Sequence, residues 1–145
     1  MPQTATRLNP LTGFSFHVQI GDISEAIFTE CSGLQAEVEV EAHFEGGAND
    51  TVHQLPGRAK FTNVTLRRGV CYSDQLWRWW KEVLRGRISR KEVSIVLYDQ
   101  KGEEKMRWTL ADAFPVKWVA PQLRAGDSTA AVESLELTYQ GLRFE

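Results

Sequence analysis

F-E-G-G-A-N-D-T-V-H-Q-L-P-G-R-A-K-F-T-N-V-T-L-R-R-G, residues 44 to 69, is the stretch on which the reading of this chain turns. It joins two strand-like segments through a glycine-rich connection, Gly46 to Gly57, far longer than a hairpin requires. Loops beyond roughly 12 residues inside a compact domain are usually functional or disordered. Leu55, Pro56 and Gly57 at its end argue for a fixed shape, so the connection reads as a docking arm.

The segment before the arm is the cleanest in the protein. Leu34, Ala36, Val38, Val40, Ala42 and Phe44 share one face of a strand, and Gln35, Glu37, Glu39, Glu41 and His43 share the other. After the arm, Ala59 and Phe61 keep one parity while Val64 and Leu66 take the other. An extra residue near Thr62 and Asn63 accounts for this as a β-bulge.

Working outward, Phe14, Phe16, Val18 and Ile20 alternate with polar residues as a first strand, and Ala26 to Cys31 returns as a short second one. Ser73 caps a helix from Asp74 to Arg85. Leu76, Trp77, Trp80, Val83 and Leu84 form its packing face, and Gly86 ends it. Val93, Ile95 and Leu97 pair with Met106, Trp108 and Leu110 across a turn at Gln100 to Glu103. Phe114, Val116 and Trp118 make a further strand bent at Pro115, and Leu135, Leu137 and Tyr139 a last one. Seven or so strands with one amphipathic helix curl most naturally into a β-barrel or sandwich with a flanking helix.

The chain of 145 residues fits a single domain, residues 1 to 145. With 42% hydrophobic and 25% charged residues and a net charge of -2, it gives no general reason to bind nucleic acid or anionic membranes. No stretch approaches the ~20 apolar residues of a membrane span. Residues 1 to 10 lack the apolar core of a signal peptide, so synthesis in the cytoplasm without a leader is expected. Cys31 and Cys71 lack C-x-x-C spacing and read as free thiols, and the sequons at Asn49 and Asn63 then have no consequence.

Chemistry is not visible. His17, His43 and His53 show no metal-ligand spacing with one another or with the cysteines, and no catalytic or phosphate-loop motif occurs. No catalytic residue, metal site or cofactor is expected. Glu37, Glu39 and Glu41, about 7 Å apart along one strand face, have no partner that would split their pKa values as acid and base. They read as a solvated row that needs ample water beside it. Trp77, Trp79, Trp80, Trp108 and Trp118 read as core apart from Trp79, which is expected to be exposed. The basic run Arg85 to Lys91 reads as a helix-end and strand-edge feature.

These residues together carry a resemblance. The order N-P-L-x-G-F, F-x-V-x-I, F-T-E-C-S-G-L, Q-A-E-V-E-V, E-G-G-A-N-D-T-V-H-Q-L-P-G-R-A-K-F, V-T-L-R-R-G-V and L-W-R-W-W resembles the tail tube protein family of contractile phages and phage-derived extracellular contractile injection systems. V-S-I-V-L-Y-D, G-E-E-K-M-R-W-T-L, A-F-P-V-K-W and E-S-L-E-L-T-Y-Q-G-L extend the match over nearly the whole chain, with Cys31 where a valine is common. The resemblance implies a structural, non-enzymatic protomer whose hexameric rings stack into a rigid inner tube within a contractile sheath.

Its implied partners are further copies of itself, the sheath protein, tube-like proteins of the baseplate and cap, and a cargo protein or DNA in the lumen. The arm, through Glu45, Gly46, Gly47, Asn49, Leu55, Pro56 and Gly57, would reach a neighbouring subunit or ring. Glu37, Glu39 and Glu41 would face the channel. About four strands from each of six protomers, ~24 strands at ~4.8 Å and ~40° tilt, give a barrel of order 48 Å in diameter with roughly 35 to 40 Å open. A tube-initiating or tube-ending homologue shares the same motifs, and so does the secreted ring-forming protein of type VI secretion. A ligand-binding β module using Trp79 is the alternative of a different class.

Overall fold

The computed structural model describes residues 13–23, 28–44, 46–47, 51–69, 74–126 and 131–145, and these form nine strands and one helix. Alternation builds the body. β1 (Ser15–Ile20) pairs antiparallel with β6 (Lys91–Tyr98), and β6 pairs with the long β7 (Glu104–Val119). The far edge of β7 is shared. Residues 108–111 pair with β9 (Gly141–Phe144), and 114–119 pair with β8 (Val132–Thr138). β8 then pairs with β5 (Val64–Gly69), and β5 with the short β2 (Glu30–Ser32). A single seven-stranded sheet therefore runs from β1 to β2.

That sheet curls over one core. Val18 and Ile20 of β1, Val93 and Ile95 of β6 and Leu110 of β7 belong to the same buried cluster as Val64 and Leu66 of β5 and Leu135 and Leu137 of β8. Residues from opposite ends of the strand order can meet only if the sheet folds back on itself. The expected mainly-β body with a flanking helix is found.

The segments expected as two strands around Leu110 and Phe114 are one, β7, and the bend lies at Asp112 rather than Pro115. Asp112 has φ 52, in the left-handed region, and the buried positions move from Leu110 to Ala113 and Pro115 across it. Val116, expected to face inward, is exposed as a result. Left-handed backbone costs an ordinary L-residue about 1–2 kcal/mol, less for aspartate and more for a β-branched residue. Asp112→Val is expected to lower stability by about 1–2 kcal/mol in urea unfolding, and Asp112→Gly to leave it level or slightly higher.

Helix α1 (Gln75–Leu84) packs on β7. Asp74 occupies the N-cap position without a side-chain cap bond, and the expected cap, Ser73, lies outside the described residues. Leu76 is buried as expected, and Trp80 and Val83 are half-buried. Trp79, expected to be exposed, is instead buried, its Nε1 donating to the Ser89 carbonyl at 2.7 Å. Conversely Leu84 is 64% exposed and Trp77 is 37% exposed. Cys31 is a free thiol, and burial pushes its pKa up to about 11. Cys71 and the start of the expected second strand lie outside the described residues.

Candidate assembly surface

β3 (Ala36–Phe44) and β4 (Val52–Phe61) form a separate two-stranded sheet. The arm is therefore a hairpin, not the glycine-rich loop from 46 to 57 that punctuation residues suggested. Gly46 and Gly47 lie in its turn, while Leu55, Pro56 and Gly57 lie within β4. Glu45 and Asn49 fall outside the described residues.

The β-bulge lies elsewhere too. The register slips between Val38↔Ala59 and Val40↔Pro56, so the extra residue belongs to β4 at Gly57 or Arg58. A Cβ on Gly57 would stand 3.1 Å from the Glu39 carbonyl oxygen, so glycine lets the strands approach there. Thr62 and Asn63 are instead the junction at which the chain leaves the hairpin for β5 of the body. Across that junction Thr62 Oγ1 donates to the Gly33 carbonyl at 2.6 Å, and Gly33, at φ 85, has no room for a Cβ beside the Asn63 carbonyl.

Directly opposed residues of an antiparallel pair share a face, so the register assigns both faces of the hairpin. One face carries Ala36, Val38, Val40, Ala42 and Phe44 with Phe61, Ala59, Pro56, Gln54 and Val52. The other carries Glu37 opposite Lys60, Glu41 opposite Leu55, and His43 opposite His53, with Glu39 between them. Leu55 and Pro56 therefore lie on opposite faces. Glu39, read as part of a solvated acidic row, forms an ion pair with Lys60. Glu37 and Glu41 remain exposed.

The apolar face is uncovered. Val38, Val40, Phe44 and Val52 are 52, 62, 75 and 42% exposed. Only Phe61, at the base, packs against the core among the described residues of the two strands, in contact with Tyr139 at 5.7 Å between ring centroids. Monomeric proteins rarely show a contiguous apolar face of this kind without a partner for it. Among the described residues no group of three or more His, Cys, Asp or Glu side chains is arranged to hold a metal ion, and no helix is long and apolar enough to cross a membrane.

Residues 12–143 match the family model of the T4-like virus tail tube protein gp19. The chain belongs to that tail tube family. Its members are structural proteins, and the shape of this tail tube chain agrees with solved relatives. It resembles a chain in the sheath-tube complex of the PVC extracellular contractile injection system in its extended state, at 28% identity and a TM-score of 0.83, over 98% of each chain. It also resembles a chain in the baseplate of the anti-feeding prophage, at 29% identity and a TM-score of 0.81, over 94% of this chain and 96% of that one. Hcp1 from Flavobacterium johnsoniae shares the fold alone, at 9% identity and a TM-score of 0.54, over 89% of this chain and 93% of its own. No curated protein sequence matches the chain.

Proposed function

We propose that this tail tube chain is the protomer of the inner tube of a contractile injection system or phage tail. Six copies close into a ring, rings stack into a rigid hollow tube, and a surrounding sheath drives that tube through a target envelope on contraction. The work is mechanical, and the chain makes and breaks no bond. Its similarity to a chain of a sheath-tube complex supports the reading. The observation that carries it is the hairpin, whose apolar face is exposed and, Phe61 apart, packs on no core residue among those described. A strand pair with one apolar and one charged face sits stably where a neighbour covers the first and water meets the second.

In the assembled tube the water side is the channel, and Glu37, Glu39 and Glu41 face it. With Glu39 paired to Lys60, Glu37 and Glu41 carry most of the charge that keeps DNA phosphates or an acidic cargo off the wall. Sheath, baseplate and cap proteins are the other partners, and the particle released from the cell is the site of action. A tube-initiating or tube-ending role is the second reading, favoured by the similarity to the anti-feeding prophage baseplate chain.

Electron microscopy of the purified protein, by negative stain and then by helical reconstruction, tests the proposal. Hollow tubes of stacked six-membered rings with Glu37 and Glu41 on the inner wall are expected. A protein monomeric at every concentration, alone and with its baseplate proteins, would overturn it, and tubes with those carboxylates buried would overturn the channel assignment.

A further inference from the structure

His43 and His53 show no ligand spacing along the sequence, and only the pairing of β3 with β4 brings them together. They are register partners. Directly opposed residues of an antiparallel pair point to the same side of the sheet, with Cβ atoms about 4.5–5.5 Å apart. Both side chains are exposed, so a dissolved ion reaches them.

The opposition of the two rings is fixed by the strands that carry them. From Val40↔Pro56 to Phe44↔Val52 the ladder runs without a slip, and the bulge between Val38 and Val40 sets where that run begins. Moving β4 by one residue would turn Val52 and Pro56 to the charged side and His53 to the apolar one, which the alternation of polarity opposes.

We propose that His43 and His53 chelate one divalent transition-metal ion of the class of Zn²⁺, Ni²⁺ and Cu²⁺. Zn–N bonds of about 2.0–2.1 Å at a tetrahedral ion place its two nitrogens roughly 3.3 Å apart. Imidazoles rooted about 5 Å apart on one face reach that separation by leaning together. Imidazole nitrogen suits zinc, copper and nickel, whereas magnesium and calcium take oxygen ligands. Glu41 lies on the same face, two residues before His43 and diagonal to His53. At about 7–8 Å its carboxylate attracts a cation to the pair without binding it. Among the described residues no group of three or more such side chains is arranged around an ion, so water completes the coordination and the site is open.

The inference goes beyond the tube reading and does not depend on it, because both ligands come from one chain. It bears on the charged face all the same. A bound dication offsets the negative charge of Glu37 and Glu41, so where this face lines a channel the metal sets the charge of the wall.

Calorimetric titration of the native chain with Zn²⁺, paired with electron paramagnetic resonance of the Cu²⁺-loaded chain, tests the site. One ion per chain is expected. His43→Asn and His53→Asn should each weaken Zn²⁺ binding at least ~tenfold. The Cu²⁺ spectrum should show nitrogen splitting from two imidazoles in the native chain and from one in either variant. His17→Asn is the control, since that ring packs edge to face on Tyr98 at 5.1 Å between centroids, and it should bind as the native chain does. Asparagine is polar and the replaced positions on the hairpin are exposed, so unchanged circular dichroism is expected of both hairpin variants. A native chain that takes up no Zn²⁺ at ~1 mM, or native affinity in either hairpin variant, would overturn the site and leave the tube reading standing.

Discussion

Excising Glu37 through Lys60 and joining Ala36 to Phe61 through an Asn-Gly turn yields a folded body that no longer forms tubes. Ala36 and Phe61 are register partners at the base of the hairpin, so a two-residue turn closes the gap without moving either end. None of the described residues in the excised segment belongs to the buried core or packs against it, and Phe61, which does, is retained. Removing exposed apolar residues takes little burial away from the folded monomer, because they were never withdrawn from water there. The midpoint of thermal unfolding of the isolated monomer should stay within about 4–8 °C of the native value, equivalent to about 1 kcal/mol. Assembly has the opposite dependence, since the hairpin carries the exposed apolar face of Val38, Val40, Phe44 and Val52 that a partner would cover. Sedimentation should show a monomer at concentrations where the native chain is fully in tubes. Tubes of native length from the excised chain would remove the hairpin from the assembly.

The same hairpin shows where the sequence was legible and where it was not. Period-two alternation located β3, and its two faces are those of the structure, because each inward or outward position had a residue of matching polarity. The end of β4 from Ala59 was read as strand, but its earlier part from Val52 was missed because Pro56 and Gly57 are the residues that punctuate loops. Here they sit in a two-stranded sheet whose outer edges pair with no other strand among the described residues, where a missing N–H is tolerated, and at a bulge where strand approach requires glycine. The parity change at Thr62 and Asn63 was visible, but alternation cannot distinguish a bulge within one strand from a passage between two sheets.

In α1 the error was one of phase. Trp77, Trp79 and Trp80 are so closely spaced that apolarity fits either of two faces. The choice fell to Trp79 because its indole N–H finds the Ser89 carbonyl, and the Ser89 turn is not in the helix at all. The cleft walled by Trp77, Trp80 and Trp118, with Arg68 and Glu133 among its lining, had no linear signal either. Its parts come from β5, α1, β7 and β8, and only the strand register sets Arg68 opposite Glu133.

That opposition carries the second large effect, a loss of about 3–5 kcal/mol in Glu133→Ala. The Arg68 and Glu133 side chains are 6 and 18% exposed, so neither charge is well solvated. Glu133 Oε1 accepts from Arg68 Nε at 2.7 Å, and Oε2 accepts from Trp118 Nε1 at 3.1 Å. Deleting the carboxylate leaves a buried cation unpaired and a buried indole N–H unsatisfied, which adds to the donor Arg68 already lacks an acceptor for. Against a total stability of about 5–15 kcal/mol this is a large fraction, visible as a lower urea midpoint at unchanged slope. The pair itself stabilises little, because burying both ions costs about what their attraction returns. Arg68→Met with Glu133→Leu removes both charges and leaves the Trp118 N–H as the one group deprived of its partner, so it should lose less than Glu133→Ala, about 1–3 kcal/mol. Similar losses in the single and double variants would show that the site needs shape rather than charge balance. A native-like Glu133→Ala would mean that water reaches the floor of the cleft.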